Sequence, residues 1–180
     1  MALAPGTHSV GPDSGKLQVQ TYREGVAQKV GHDLIIDVGQ WQATVQVGED
    51  GKPAAISLEA DPRSLQISEG HHGLKPLTDK DRATIVKEID AKVLRGQSIK
   101  FVSSAIQLTG DRLTVNGDLA LGGATKPARF EVQLADDGTV GGTLPVTQSE
   151  WGIKPYRGLM GALKVRDAVE IVLDARLPTA

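Results

Sequence analysis

The sequence predicts an all-β domain, and three observations support this prediction. Glycine supplies 21 of the 180 residues, well above its average share of about 7%, so turns are frequent. Apolar residues make up 39% of the chain and recur at every second position in most segments, which is the period of a strand with one buried face. Asp-Gly and Gly-Gly pairs join these segments, as in tight hairpins. An antiparallel sandwich or a closed barrel fits this pattern.

The alternating segments predict about eight strands. Alternation begins in residues 17–21, continues through 34–47 and returns in 56–60. It resumes in 99–108, passes through the hairpin of 110–138, and ends in 139–147 and 169–177. The phase changes at Gly39-Gln40 and again at Ser103-Ser104, which indicates a β-bulge or a bend at each place. Closing the strands into a barrel would remove the exposed edges of such a sheet.

The hairpin GDRLTVNGDLALGGATKPARFEVQLADDG, residues 110–138, has the clearest alternation. Leu113, Val115, Leu119 and Leu121 share one face before the Gly-Gly turn. After the turn, the same face is continued by Phe130, Val132 and Leu134. One side of the hairpin is therefore apolar, and alternation alone leaves open whether it contacts other side chains or a ligand.

One segment predicts a helix, LTDKDRATIVKEIDAKVL at 77–94. Thr78 or Asp79 can accept hydrogen bonds from the first-turn amides, and Asp81 complements the helix dipole. Ile85, Ile89 and neighbouring apolar residues recur at three- and four-residue spacing and form one stripe. We expect an amphipathic α-helix packed outside the β structure.

The first 14 residues are rich in Gly, Pro and Ser and predict a flexible lead-in, with the domain spanning 15–180. The absence of cysteine excludes thiol chemistry and disulfides and gives no sign of an oxidising compartment. The net charge of −2 offers no footprint for nucleic acid. Neither a leader segment nor an apolar stretch of about 18 residues is present, so we expect a cytoplasmic protein without stable membrane insertion.

Motifs for catalysis or metal binding are weak. In EGHHG, residues 69–73, the adjacent histidines would point to opposite faces of a strand, and the flanking glycines favour an exposed loop. GGATK joins two predicted strands, so its glycines are expected to form a hairpin turn rather than a phosphate-binding loop. No G-x-S-x-G elbow is present. We therefore predict no catalytic residue, no metal and no cofactor.

Several motifs in order resemble the YceI-like family of lipid-binding proteins. They are VGHDL, SLQISEGHHGLKPLTDKDR, IKFVSSAI, GDLALGGATKPARFEV, QSEWGIKPY and LMGALKVRD. The resemblance covers nearly the whole chain after the lead-in, and the G-D-L-x-L-x-G-x-T-K-P hairpin is its most specific piece. It implies a lipocalin-like antiparallel barrel whose interior binds a polyisoprenoid or fatty-acid derivative. Where the secreted form of the family has R-D-x-H at the helix, this chain reads DRATI, with Arg82 retained and the second His absent.

Strand parity and this resemblance together nominate the ligand-binding residues. Little aromatic bulk is available to fill a barrel, since the chain has two Phe, two Trp and two Tyr. Burying each methylene of a ligand contributes about 0.8 kcal/mol. The nominated tunnel wall, aromatic contacts and end-loop contact are Ile99, Phe101, Leu119, Leu121, Phe130, Val132, Trp41, Trp151, Tyr156 and Leu163. Arg82 and Arg157 are the nominated headgroup contacts.

Three functions remain open at this point. The first is a non-enzymatic carrier of a hydrophobic lipid, with residues 148–165 either closing one barrel end or contacting the lipid at the mouth. The second is an interaction module with a packed core, whose partner binds an outer face through the helix and the EGHHG loop. The third is an enzyme of a small lipid or isoprenoid step, which would need a polar pair inside the barrel. The sequence also leaves open whether the protein is a monomer or a homodimer.

Overall fold

The structure is a computed structural model that describes residues 2–180, and it is mostly β. Fourteen strands occur within these residues, together with one long helix and several short 3₁₀ turns. The strands are β1 (Gly6–Val10), β2 (Gly15–Thr21), β3 (Arg23–Glu24), β4 (Asp33–Val38), β5 (Trp41–Val47), β6 (Pro53–Ala60), β7 (Leu65–His71), β8 (Ile99–Thr109), β9 (Arg112–Leu121), β10 (Ala124–Leu134), β11 (Thr139–Thr147), β12 (Arg157–Gly158), β13 (Leu163–Val165) and β14 (Ala168–Arg176).

Eleven strands form one curled antiparallel sheet in the order β1-β5-β6-β8-β9-β10-β11-β14-β2-β4-β7. The other three form a small sheet in the order β12-β13-β3. In the large sheet, β1 and β2 follow each other in the chain, as do β4 and β5, and β6 and β7. The chain itself thus links the two ends of the hydrogen-bonded ladder, and the sheet curls around a common interior.

The prediction of about eight strands is corrected to eleven in this sheet, because the segment 34–47 contains two strands, β4 and β5, and because β1 and β7 lie where no strand was predicted. The chain bends between consecutive strands at residues 11–14, 39–40 and 61–64. At the second bend, the Gly39 amide donates to the Ser64 carbonyl at 2.9 Å, and a Cβ on Gly39 would lie 2.9 Å from that same oxygen. Glycine is needed there for the close approach of two backbones. The phase change predicted at Gly39-Gln40 is therefore a bend between β4 and β5.

The second predicted phase change is a β-bulge. The pairing register of β8 with β9 shifts between Ser103 and Ala105, so one extra residue is inserted at the predicted place. The shift explains why the residues before and after it have opposite parity. A bulge at Ser103-Ser104 is confirmed.

The prediction of a flexible lead-in over residues 1–14 is wrong where the structure describes this segment, and Met1 lies outside the described residues. Residues Gly6–Val10 form β1, which pairs with β5 from Gly6↔Val47 to Val10↔Ala43. Leu3 is 1% exposed and belongs to the core, and it also bridges to Thr179 near the other end of the chain. A Gly- and Pro-rich composition was misleading because the strand depends on a partner more than 30 residues away.

The helix predicted over 77–94 is confirmed. Helix α1 spans Asp79–Glu88 and continues as a π-helical segment over Ile89–Leu94, whose last residue is buried. Thr78 closes a capping box: its hydroxyl accepts from the Asp81 amide at 3.1 Å, and its own amide donates to the Asp81 carboxylate at 2.9 Å. The helix packs on edge strand β7, so it covers backbone groups that would otherwise be open to pairing.

The capping box predicts an acid-sensitive start of α1. The Thr78 amide, and then the Thr78 hydroxyl, lower the pKa of Asp81 below its ordinary value of 3.8. A carboxylate with a lowered folded-state pKa stabilises the fold above its unfolded-state pKa, and this contribution is lost as pH falls through the folded-state value. We expect Asp81→Ala to lower the urea midpoint at pH 7, and this effect should decrease as the pH is lowered toward 3 and below.

Asp79→Ala is the matched control, because Asp79 also lies in the first turn but outside the capping box. Its effect on the urea midpoint should depend less on pH than that of Asp81→Ala. Equal effects of Asp81→Ala across this pH range would contradict a role for the ionised carboxylate.

Candidate functional site

The curled sheet encloses an apolar cavity of about 160 Å³. Its lining comes from ten of the eleven strands of the sheet, and nearly all of the lining surface is apolar. Among the described residues that line it, none has an ionisable side chain. The alternation seen in the sequence explains this, because residues of one parity on each strand point to the same interior.

Six of the nominated residues line the cavity. They are Trp41, Ile99, Phe101, Leu119, Phe130 and Val132. Their contact with a ligand stays a prediction. Leu121 has the same parity as Leu119 and packs against the core, but it does not line the cavity.

Two phenylalanines form part of the cavity wall. They lie on β8 and β10, the two strands that pair with β9. The rings of Phe101 and Phe130 meet edge to face, with centroids 5.1 Å apart, a favoured geometry for aromatic pairs. Gly117 lies opposite the first ring, and a Cβ there would lie 2.5 Å from the Phe101 Cζ atom. The glycine therefore leaves the space that the Phe101 ring occupies.

Trp151 is buried against β9. It is 6% exposed, and its indole Nε1–H donates to the Leu119 carbonyl at 2.8 Å. Ile153, two residues later, is also buried. Neither Trp151 nor Tyr156 lines the cavity: Trp151 is buried, whereas Tyr156 is about half exposed. Leu163 packs over Gly31, outside the cavity lining.

The two nominated headgroup residues have different surroundings. The Arg82 guanidinium donates to the Ile67 carbonyl at 2.6 Å and to the Ser68 carbonyl at 3.1 Å, which ties α1 to β7. Arg157 is exposed on β12. Neither residue lines the cavity, so the structure does not bring either one together with the six wall residues.

Sequence reasoning missed much of the wall. Strands β2, β5, β11 and β14 contribute lining residues that were not nominated, including Val19, Ala43, Leu144 and Ile171. Their parity was visible in the sequence. What was missing was the knowledge that all these strands face one cavity rather than separate parts of a packed core.

The size of the cavity limits what can enter without a rearrangement. An apolar cavity of about 150 Å³ is known to accept a benzene molecule, so the present space of about 160 Å³ suits a group of about six carbons. A longer chain requires wall side chains to change rotamer or the sheet to open. At about 0.8 kcal/mol per methylene, six carbons contribute about 5 kcal/mol, which corresponds to a Kd between about 0.1 and 1 mM.

A polar hollow of about 720 Å³ lies on the outside of the sheet near the second and third bends. Gln40, Glu59 and Arg63 are among its lining residues. It shares Trp41 and Ala60 with the apolar cavity, and these two residues are directly paired between β5 and β6. Only the pair Trp41 and Ala60 therefore separates the hollow from the cavity at this point.

The histidines of the β7 end have separate partners. His71 Nε2 lies 2.8 Å from Glu69, and His72 Nε2 lies 3.6 Å from Asp33. His32 Nε2 lies 2.7 Å from the Lys75 carbonyl. Within residues 2–180, no group of three or more His, Asp or Glu side chains is arranged to hold a metal ion. The expected exposed loop begins only at His72, because β7 runs to His71.

None of the helices in residues 2–180 has the length and apolar character needed to span a membrane.

A curled antiparallel sheet around an apolar interior defines a class of small β proteins that enclose a cavity. The sequence profile of the YceI-like domain matches residues 18–177 of this chain. The protein therefore belongs to the YceI-like family, as its motifs predicted. A search of curated protein sequences found no match.

Two solved structures are reported for comparison. BcnA of Burkholderia cenocepacia is 19% identical with a TM-score of 0.62, over 89% of this chain and 94% of that chain. A YceI protein of Campylobacter jejuni is 10% identical with a TM-score of 0.47, over 66% of this chain and 70% of that chain. At such identities, BcnA supports the fold alone.

Proposed function

We propose that this protein binds the apolar chain of an amphiphilic lipid, such as a polyisoprenoid or a fatty-acid derivative, inside the curled sheet and performs no chemistry on it. The observation that carries the proposal is the apolar cavity, with its lining from ten strands. Membership of the YceI-like family supports a lipid-like ligand. The absence of ionisable groups from the described lining residues disfavours an enzyme that acts inside the sheet.

The headgroup of such a ligand must remain outside the cavity, because a charged or strongly polar group would find no partner among the lining atoms. The polar hollow next to Trp41 and Ala60 offers one place for it. In this arrangement, Trp41 separates the chain from the headgroup. The nominated headgroup contacts Arg82 and Arg157 do not line this hollow.

The small size of the cavity keeps the second function considered above, an interaction module with a packed core, as the alternative. A chain-length series distinguishes the two. If the cavity opens, affinity should increase about fourfold for each added methylene, since each contributes about 0.8 kcal/mol. If the cavity is rigid, affinity should stop increasing at about six carbons.

The experiment is native mass spectrometry of protein purified without detergent, with organic extraction of any bound mass, followed by titration with linear alcohols and fatty acids of 6–16 carbons. We expect a one-to-one complex and affinity that increases with chain length beyond six carbons. An apo mass together with no uptake across the series, or a plateau at six carbons, would reject the carrier and favour the interaction module.

A further inference from the structure

Two neighbouring loops expose large apolar side chains. They comprise residues 22–32 and 154–166, here called the loop patch. Its exposed large apolar residues are Val26, Val30, Tyr156, Leu159 and Met160. Single exposed apolar residues are ordinary on soluble proteins, but here five lie in two short segments, and such concentrations mark interaction sites.

The small sheet holds the two loops together. Strand β13 pairs with β3 through Lys164↔Glu24 and with β12 through Leu163↔Gly158. The Ala27 amide donates to the Ala162 carbonyl at 2.8 Å. The apolar residues of the two loops are therefore parts of one surface.

The apolar side chains of the loop patch point to solvent rather than into the protein. Val26 is 94% exposed, Leu159 is 60% exposed, and Met160 is fully exposed. Leu159 and Met160 both have left-handed backbone conformations, with φ of 49° and 55°. Bulky residues rarely adopt this conformation, so the turn presents the Leu159 and Met160 side chains to solvent in a backbone form that glycine would adopt more easily.

The loop patch is also strongly basic. It contains six Lys and Arg residues against one Glu, a formal charge of +5, whereas the whole chain carries −2. The remaining residues therefore carry −7. Arg23 is paired with Asp33, just outside the patch, at 3.7 Å, and Arg166 lies over the Tyr22 ring. Lys29, Lys154 and Arg157 are exposed and form no ion pair with the described residues.

Apolar tips surrounded by cations match the chemistry of an anionic lipid bilayer. Apolar side chains can enter the boundary between headgroups and acyl chains, while Lys and Arg remain near the phosphates. An acidic protein partner would satisfy the cations but would leave Val26 and Met160 with no defined pocket. We propose that the loop patch docks this protein on the surface of an anionic bilayer.

Docking goes beyond the proposed cavity ligand, and the two fail in different experiments. The chain-length titration uses dispersed ligands and needs no bilayer, whereas docking is measured with intact vesicles. Suppose that a variant loses vesicle binding while its affinities for the dispersed ligands are unchanged. That result would assign the loss to the loop patch and leave the cavity proposal intact.

The first test is flotation with vesicles of phosphatidylcholine alone or with 30% phosphatidylglycerol, at 50 and 500 mM salt. We expect binding to the anionic vesicles only, and weaker binding at high salt because ions screen exposed charges. Leu159→Ser with Met160→Ser should lower the partition coefficient at least tenfold. Val102→Ser is the matched control, since Val102 is 57% exposed on β8, outside the patch.

The second test removes charge without removing apolar surface. Lys154→Gln and Arg157→Gln should each lower partitioning to the anionic vesicles about fivefold, the factor that corresponds to about 1 kcal/mol per basic residue near such a surface. The proposal is overturned if neither vesicle binds the protein, or if Val102→Ser is as damaging as the patch variant. It is also overturned if the Ser variants instead dissociate a dimer, since a second copy would then be the occupant.

Discussion

Ala43→Phe is expected to stabilise the protein and to weaken ligand binding strongly. Ala43 is buried on β5 and lines the cavity, and the substitution adds a phenyl ring, a group that a space of about 150 Å³ accepts. Filling cavities commonly raises stability by about 0.5–2 kcal/mol, and the ring occupies the volume that the ligand needs. Thermal unfolding and the chain-length titration measure the two effects, and we expect affinity to fall at least tenfold.

Gln46→Phe is the matched control, because Gln46 is exposed on the same strand. It should leave affinity unchanged and stability within about 0.5 kcal/mol. Undiminished uptake by folded Ala43→Phe would remove the cavity as the ligand site. A loss of about 1–3 kcal/mol in stability would instead indicate overpacking, and so a core without free space near Ala43.

Trp151→Ala is expected to destabilise the fold by about 3–5 kcal/mol, the range for removal of a buried aromatic side chain. The variant also leaves the Leu119 carbonyl without its indole donor. Trp151→Phe helps to separate the two effects, because it loses the donor but keeps an aromatic ring and so much of the apolar volume. We expect about 1–3 kcal/mol for that variant, from urea unfolding at pH 7.

Tyr156→Ala serves as the comparison within the same loop. Tyr156 is 49% exposed, so its removal should change the free energy of unfolding far less than removal of Trp151. Similar losses for the two variants would mean that the loop stabilises the fold as a whole, rather than through the Trp151 side chain.

The inward faces could be predicted from the sequence because side-chain parity is a local property. Alternation placed Leu119 and Phe130 on one apolar face of the hairpin, and both line the cavity. The bulge near Ser103 was visible as a change of phase. Each of these features depends on residues only a few positions apart.

Features that depend on distant partners could not be predicted. Strand β1 exists because β5 pairs with it, and the role of Trp151 depends on a carbonyl 32 residues earlier in the chain. Strands β3, β12 and β13 have only two or three residues each, too few for periodicity to be seen. The volume of the cavity depends on how all the side chains pack in three dimensions. Alternation in the sequence therefore predicts which residues can line the cavity but does not predict its volume.

The pairing of β2 with β14 has a consequence for how the chain is made. Leu17 is the register partner of Leu173, so one side of β2 stays unpaired until a strand about 150 residues later in the chain has been synthesised. Contacts of such large sequence separation slow folding, and strand edges left open in the meantime favour aggregation. A nascent chain that stalls before β14 would therefore present one edge each of β2 and β11 unpaired, and the two parts of the sheet can join only after β14 has left the ribosome.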